Sequence, residues 1–228
     1  MNEHSFIGQH REVPISTRDK NSDKYIRILE AAVKVFAEQG VHQSTVSQIA
    51  REAGVADGTI YLYFKNKDDI LVQFFEDKAR QVFERFREEV DRGDNAIEKL
   101  RNLIRRHLDE FQRDRNLAIV FQSETHRMNP TSREQLKYIS KMYQDIVSEI
   151  VEQGQMEGCI RKDLYLSLVK RFILGAVNET IGHWLHSGGK YDLTTMADPL
   201  MDLFIRGIGT QLSVARMEAA RHTEPYPA

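Results

Sequence analysis

From residue 23 to residue 212 the apolar side chains of this chain return every three or four positions, and no stretch alternates Val, Ile or Thr with polar residues. That period belongs to the helix, so each segment must bury one stripe and wet the other, and the fold is predicted to be all-α. Of five prolines, at 14, 130, 199, 225 and 227, only two fall inside that span. Long uninterrupted helices are therefore possible, because an interior proline removes a backbone donor and kinks the helix.

Breakers and caps divide the span. A first helix is predicted over Asp23–Gln39, with Ile28, Ala31, Ala32, Val35 and Phe36 as its apolar stripe and Gly40 as its stop. Thr45-Val46-Ser47-Gln48 is a capping-box pattern that opens Val46–Ala53, and Gly54 ends that helix. A short helix over Thr59–Phe64 follows, with Asp57 expected as its N-cap. Asn66 and Asp69 start a long helix to about Arg92. Further helices are expected at Ala96–Gln112, Asn116–Arg127, Ser132–Glu152, Leu164–Leu185 and Thr195–Leu212. Short helices with tight turns thus give way near residue 67 to long amphipathic ones. The expected organisation is an arm, 1–22, a three-helix unit, 23–67, a larger helical body, 68–212, and a tail, 213–228.

Composition narrows the function classes. The 228 residues carry 32 Lys and Arg against 34 Asp and Glu, and 41% are hydrophobic, which excludes wholesale disorder. A lone cysteine, Cys159, cannot form an internal disulfide. No apolar run approaches the roughly 20 residues needed to span a bilayer, and residues 1–22 do not resemble a secretory signal. A cytoplasmic protein without a membrane partner is predicted. No nucleophile elbow, zinc-protease motif, P-loop or dinucleotide fingerprint occurs, so no catalytic residue, metal or cofactor is assigned. His183 and His186, three apart on one helix, read as packing rather than as metal ligands. Two other classes compete: a helical enzyme using His107, His126 or His183 for acid-base work, and a protein-binding adaptor.

The informative stretch is Val46–Lys67. Ile49, Ala53, Val55, Ile60 and Tyr63 are spaced for two helices packed across a tight turn, with Gly54 where the turn calls for positive φ. This describes a helix-turn-helix, whose second helix enters the major groove of DNA. The run TIYLYFKNKDDIL, Thr59–Leu71, together with AAVKVFAEQGVHQSTVSQIAREAGV before it, resembles the recognition region of TetR-family transcriptional repressors. The resemblance implies an N-terminal DNA-binding domain joined by a long helix to a C-terminal ligand-binding and dimerisation domain. Thr45, Ala56, Gly58, Thr59, Tyr61, Leu62, Tyr63 and Lys67 are the expected contacts to double-stranded operator DNA. Hydroxyls reach phosphates or base edges, Tyr63 lays its ring on a sugar or thymine methyl, and Lys67 uses a helix N-terminus to hold a phosphate. Ile60 and Phe64 are expected in the core instead. Asp57 departs from the basic residue common there. With nine Lys and Arg against eight Asp and Glu in residues 1–67, any basic face must come from geometry.

The segment GAVNETIGHWLHSGGKYDL, Gly175–Leu193, is similar to the FadR-type subgroup of that family. This implies a long-chain acyl-CoA effector and control of fatty-acid degradation genes. Such a ligand needs an apolar tunnel and cations for its phosphates. The expected ligand residues are Arg105, Arg106, Phe111, Leu117, Phe121, Met142, Ile146, Phe172, Asn178, Glu179 and Trp184, with Arg101, Arg113, Arg115, Arg127 and Arg133 as further cations. A regulator released by cationic or hydrophobic drugs and controlling an efflux pump is the alternative. A homodimer is expected through the last two long helices, where Gly175, Ala176, Gly207 and Gly209 permit close approach.

Overall fold

The computed structural model describes residues 22–124, 130–211 and 213–215, with the side chain of Gln135 left aside. The predicted arm, save Ser22, and most of the tail lie outside those residues, as do His126 and Arg127. The described residues form helices α1 (Asp23–Gln39), α2 (Val46–Ala53), α3 (Asp57–Tyr63), α4 (Lys67–Asp91) and α5 (Ala96–Arg113). These are followed by α6 (Arg115–Glu124), α7 (Pro130–Met156), α8 (Leu166–His186), a 3-10 turn (Leu193–Met196) and α9 (Ala197–Ile208). No strand occurs among them, and no described helix is long and apolar enough to cross a membrane.

Local chemistry sets the N-terminal boundaries. The Ser22 hydroxyl accepts from the Tyr25 amide at 3.3 Å and starts α1. Thr45 and Gln48 close a reciprocal capping box at α2. Gly54 ends α2 with φ 64°, ψ 40°, a conformation that costs a Cβ-bearing residue energy. Arg27 donates there to the carbonyls of Ala53 and Gly54, satisfying groups left open by the helix end. Ile28, Ala32, Phe36, Ile49, Ala50, Ile60 and Phe64 bury almost completely and hold the three helices together.

α4 buries residues on two sides. Ile70, Leu71 and Phe74 are buried near the three-helix unit, and Ala79, Val82, Phe83 and Phe86 are buried further on, in the body. Arg85 of α4 grips Glu110 of α5 with two bonds of 2.6 Å, and Arg106 donates to the same carboxylate. Burial pushes the Glu110 carboxyl up, but the bonds and charges of Arg85 and Arg106 outweigh it and hold it below the usual range.

The last helix is shorter than predicted. It stops at Gly209 rather than Leu212, because the chain turns extended there, at φ −76°, ψ 162°. It then ties to the segment after α7: the Arg161 amide donates to Ile208 at 3.0 Å and the Thr210 amide to Cys159 at 3.1 Å. A Cβ on Gly209 would stand 2.5 Å from the Ile205 carbonyl oxygen. This glycine therefore serves close contacts within the subunit.

Candidate DNA-reading face and ligand cavity

α3 presents two different sides. Ile60 and Phe64 face inward, and Phe64 stacks on Tyr25 at 5.2 Å, as the spacing predicts. Ala56, Asp57 and Gly58 are exposed, and Tyr61 and Leu62 remain 57% and 55% exposed. Thr59 is half-buried beside them. A Cβ added to Gly58 would meet nothing within 4 Å, so folding makes no demand for glycine there. Thr45 is also exposed, at the N-terminus of α2, where its hydroxyl accepts from the Gln48 amide at 3.2 Å.

Three of the sequence expectations are corrected here. Asp57 is not the N-cap of α3: Ala56 holds that position without a side-chain bond. Asp57 sits one residue inside the helix, where the dipole still favours an acid, and its carboxylate accepts from the Ser47 hydroxyl, fastening α3 to α2. Lys67 does not present its ammonium to solvent. Nζ donates to the carbonyls of Val41 at 2.7 Å, His42 at 3.2 Å and Ser44 at 2.6 Å, which uses all three of its donors on the turn between α1 and α2. Tyr63 is half-buried, 6.2 Å from Tyr25 and 6.4 Å from Phe64, with its hydroxyl accepting from Ser22 at 3.4 Å. Most of its ring serves the core.

In the body, α4, α5, α6, α7 and α8 enclose a cavity of about 530 Å³. Its walls are aromatic and aliphatic. Phe111 packs edge-on to Phe121 at 5.3 Å, Phe75 to Phe121 at 6.1 Å, and Phe86 to Phe83 at 5.5 Å. Exposed Arg133, Glu134, Lys137 and Ser140 of α7 mark its opening, with half-buried Lys78 of α4 also on the wall. This wall thus carries three cations and, among the lining residues, one carboxylate. Lys78 pairs with Asp114 at 2.8 Å and Lys137 with Glu134 at 3.4 Å.

Of the predicted ligand residues, Phe111, Leu117, Phe121 and Asn178 line this cavity, as does Arg133. The others are elsewhere. Arg105, with Arg101, pairs with Asp198 of α9 at 3.3 Å. Arg106 is held by Asp109 at 3.0 Å and by Glu110. Met142 and Glu179 are exposed, and Phe172 is 52% exposed, edge-on to Phe204 at 5.4 Å. Ile146 is buried in the helix packing away from the cavity. Trp184 is buried, donates to the Tyr191 carbonyl at 2.9 Å, and carries Arg115 over its ring at 5.7 Å. An arginine beside acids of its own helix neighbours finds a partner within the fold, which a count of charges does not reveal.

Sequence reasoning missed the α4 wall and Tyr143, and named His107 only for the competing enzyme class. The signal was there: α4 carries more apolar residues than one stripe needs. Burial drives His107 down to about 3 against a weaker upward pull from Glu110, and raises the Tyr143 hydroxyl. The Nδ1 of His107, the hydroxyl of Tyr143 and the Oδ1 of Asn178 are buried with no hydrogen-bond partner among the described residues.

The body also reaches the three-helix unit away from α4. Glu124, at the end of α6, is 3% exposed, and its carboxylate accepts from the Val41 amide at 3.5 Å. It thus touches the same turn that Lys67 staples. Both a cavity helix, α6, and the helix common to both units, α4, end on the platform that carries α2 and α3.

Comparison with known proteins follows this division. The sequence profile of "Bacterial regulatory proteins, tetR family" matches residues 28–74, and that of "YsiA-like protein, C-terminal region" matches residues 75–207. The chain is 43% identical over 185 residues to the fatty acid metabolism regulator protein of Bacillus subtilis, covering 81% of this chain and 95% of that protein. Among solved structures, the fatty acid degradation regulator FadR from Bacillus halodurans superposes with a TM-score of 0.78 at 36% identity, over 82% of this chain and 97% of that one. FadR from Bacillus subtilis, solved in complex with stearoyl-CoA, gives 0.77 at 42% identity, over 81% and 99%.

Proposed function

The chain belongs to the TetR family of bacterial regulatory proteins, and from that premise we propose that it is a transcriptional repressor released from DNA by a long-chain acyl-CoA. It binds a palindromic operator as a homodimer and controls fatty-acid degradation genes. The observation that carries this is the cavity. Its walls are mainly aromatic and aliphatic, with Arg133, Lys137 and Lys78 among its lining residues, in a chain 42% identical to a protein solved with stearoyl-CoA. An acyl chain fills such walls, and Arg133, Lys137 and Lys78 stand where the phosphates of a coenzyme A head would emerge. A cationic drug would want carboxylates in that place, and Glu134, the one acid among the lining residues, is already paired with Lys137.

On the DNA side, Thr45, Ala56, Gly58, Thr59, Tyr61 and Leu62 form the reading face. Release follows if the loaded cavity favours a different setting of α4 and α6. Both helices touch the platform of the reading helix, and only a ligand with unequal affinity for the two settings shifts their balance.

The test is fluorescence anisotropy of labelled operator DNA bound to the protein, titrated with stearoyl-CoA and, separately, with coenzyme A alone. Release by the first and none by the second is expected. A complex that survives saturating stearoyl-CoA rules out the acyl-CoA effector, while loss of binding in Tyr61→Ala with an intact fold keeps the repressor.

A further inference from the structure

The cavity is not uniformly apolar. From Arg133 at its opening to Tyr143, ten residues along α7, the wall runs about 15 Å. At that inner end His107 and Tyr143 meet edge to face at 5.0 Å, each also packed on Phe86, at 5.5 Å and 6.0 Å. Among the described residues, His107 Nδ1 and the Tyr143 hydroxyl have no hydrogen-bond partner. A fold seldom buries two adjacent polar atoms unpaired, because each gives up its hydrogen bonds to water without replacing them. Phenylalanine at either position would fill the same space without that cost.

We propose that this inner end is a receptor for a neutral oxygen, a hydroxyl or oxo group, carried on the outer half of the effector's hydrocarbon chain. This rests on the acyl-thioester reading above and specifies it: the preferred effector is an oxygenated acyl-CoA rather than a plain one. The chemistry selects for neutrality. Burial keeps the imidazole uncharged and the phenol protonated, so one ring nitrogen accepts, the other donates, and the phenol does either. A hydroxyl or ketone satisfies such a pair. A carboxylate would enter a pocket of aromatic rings with no cation to meet it, and would lose its hydration without return. Glu110, the acid nearest His107 on its own helix, is already committed to Arg85 and Arg106, and adds to the disfavour for an anion.

The experiment is calorimetric binding of stearoyl-CoA and of hydroxystearoyl-CoA isomers, with the hydroxyl walked along the outer half of the chain. The proteins are the full-length chain, His107→Phe and Tyr143→Phe, each first shown by thermal melting to be folded. At least one isomer should bind the unaltered protein about tenfold more tightly than stearoyl-CoA does, the scale set by one recovered buried hydrogen bond. Both substitutions should abolish that preference, read within each variant as the ratio of isomer to stearoyl-CoA affinity, and a terminal carboxyl should give no gain. If every isomer binds more weakly than stearoyl-CoA, if the preference survives both substitutions, or if the carboxyl binds best, the proposal is overturned. Stearoyl-CoA that binds and releases operator while no isomer gains sinks this inference alone. If no thioester binds at all, the effector assignment falls and takes the inference with it.

Discussion

His107 shows how a single residue acquires its character from burial. In the unfolded chain it takes a proton near its ordinary value of 6.5, whereas in the folded protein it does so only near 3. The folded state therefore favours the neutral ring, and that contribution is complete above pH 6.5. As the pH falls below 6.5 the unfolded chain binds a proton that the native one refuses. Stability then drops by about 1.4 kcal/mol per pH unit until pH 3 is reached. Between pH 7 and pH 5 His107 should cost the protein about 2 kcal/mol, a loss that His107→Phe avoids. Urea denaturation of both proteins at the two pH values measures this, and parallel losses would mean that the imidazole titrates freely in the native state. Lys67 and Asp57 teach the same point from the polar side. Their types and positions read from the sequence as a phosphate ligand and a cap. The fold gives the ammonium three carbonyls and gives the carboxylate a serine hydroxyl, because a donor satisfied within the protein is worth more than one left to solvent.

Among the elements, α3 is where sequence and function meet most directly. Gly58 has open space beyond its Cα and an ordinary φ. Alanine there should raise helix stability, by up to about 1 kcal/mol. The same methyl would push the exposed face away from a duplex laid against it. Gly58→Ala is therefore expected to melt at or above the temperature of the unaltered protein while binding operator at least tenfold more weakly. Unchanged affinity in a mobility-shift titration would place the duplex elsewhere. The helices whose ends carry their own chemistry were the most legible. α1 and α2 begin and end where Gly40, the Thr45–Gln48 box and Gly54 put them. α9 was less so, since nothing local to Gly209 announces that Ile205 and the segment around Cys159 crowd it. The ligand wall was least legible. Phe111, Leu117 and Phe121 look like any core residues, and α4 contributes most of the remainder from a face that periodicity assigns simply to burial.

At the scale of the whole molecule, α8 and α9 leave a coherent surface uncovered. Leu168, Phe172 and Gly175 follow one another along α8, and Leu203 and Gly207 along α9, all exposed. Cβ atoms on Gly175 and Gly207 would meet nothing within 4 Å in the subunit. Two copies facing each other through these helices would make a four-helix contact and set two α3 helices for adjacent major grooves. Leu203 is 64% exposed, so Leu203→Asp should leave the subunit folded. It should convert a dimer to a monomer in sedimentation and abolish tight operator binding, while a dimer that survives it uses another face. The sequence by itself determined the helical period, the caps and turns, and the reading helix, since each of these is written within a few neighbouring residues. Tertiary structure alone decided which arginines are spent on neighbouring acids, which phenylalanines face a void, and that His107 and Tyr143 share its inner end. Those outcomes depend on side chains brought together from distant positions, and the cost of burying a charge or a polar atom is set only once that packing is complete.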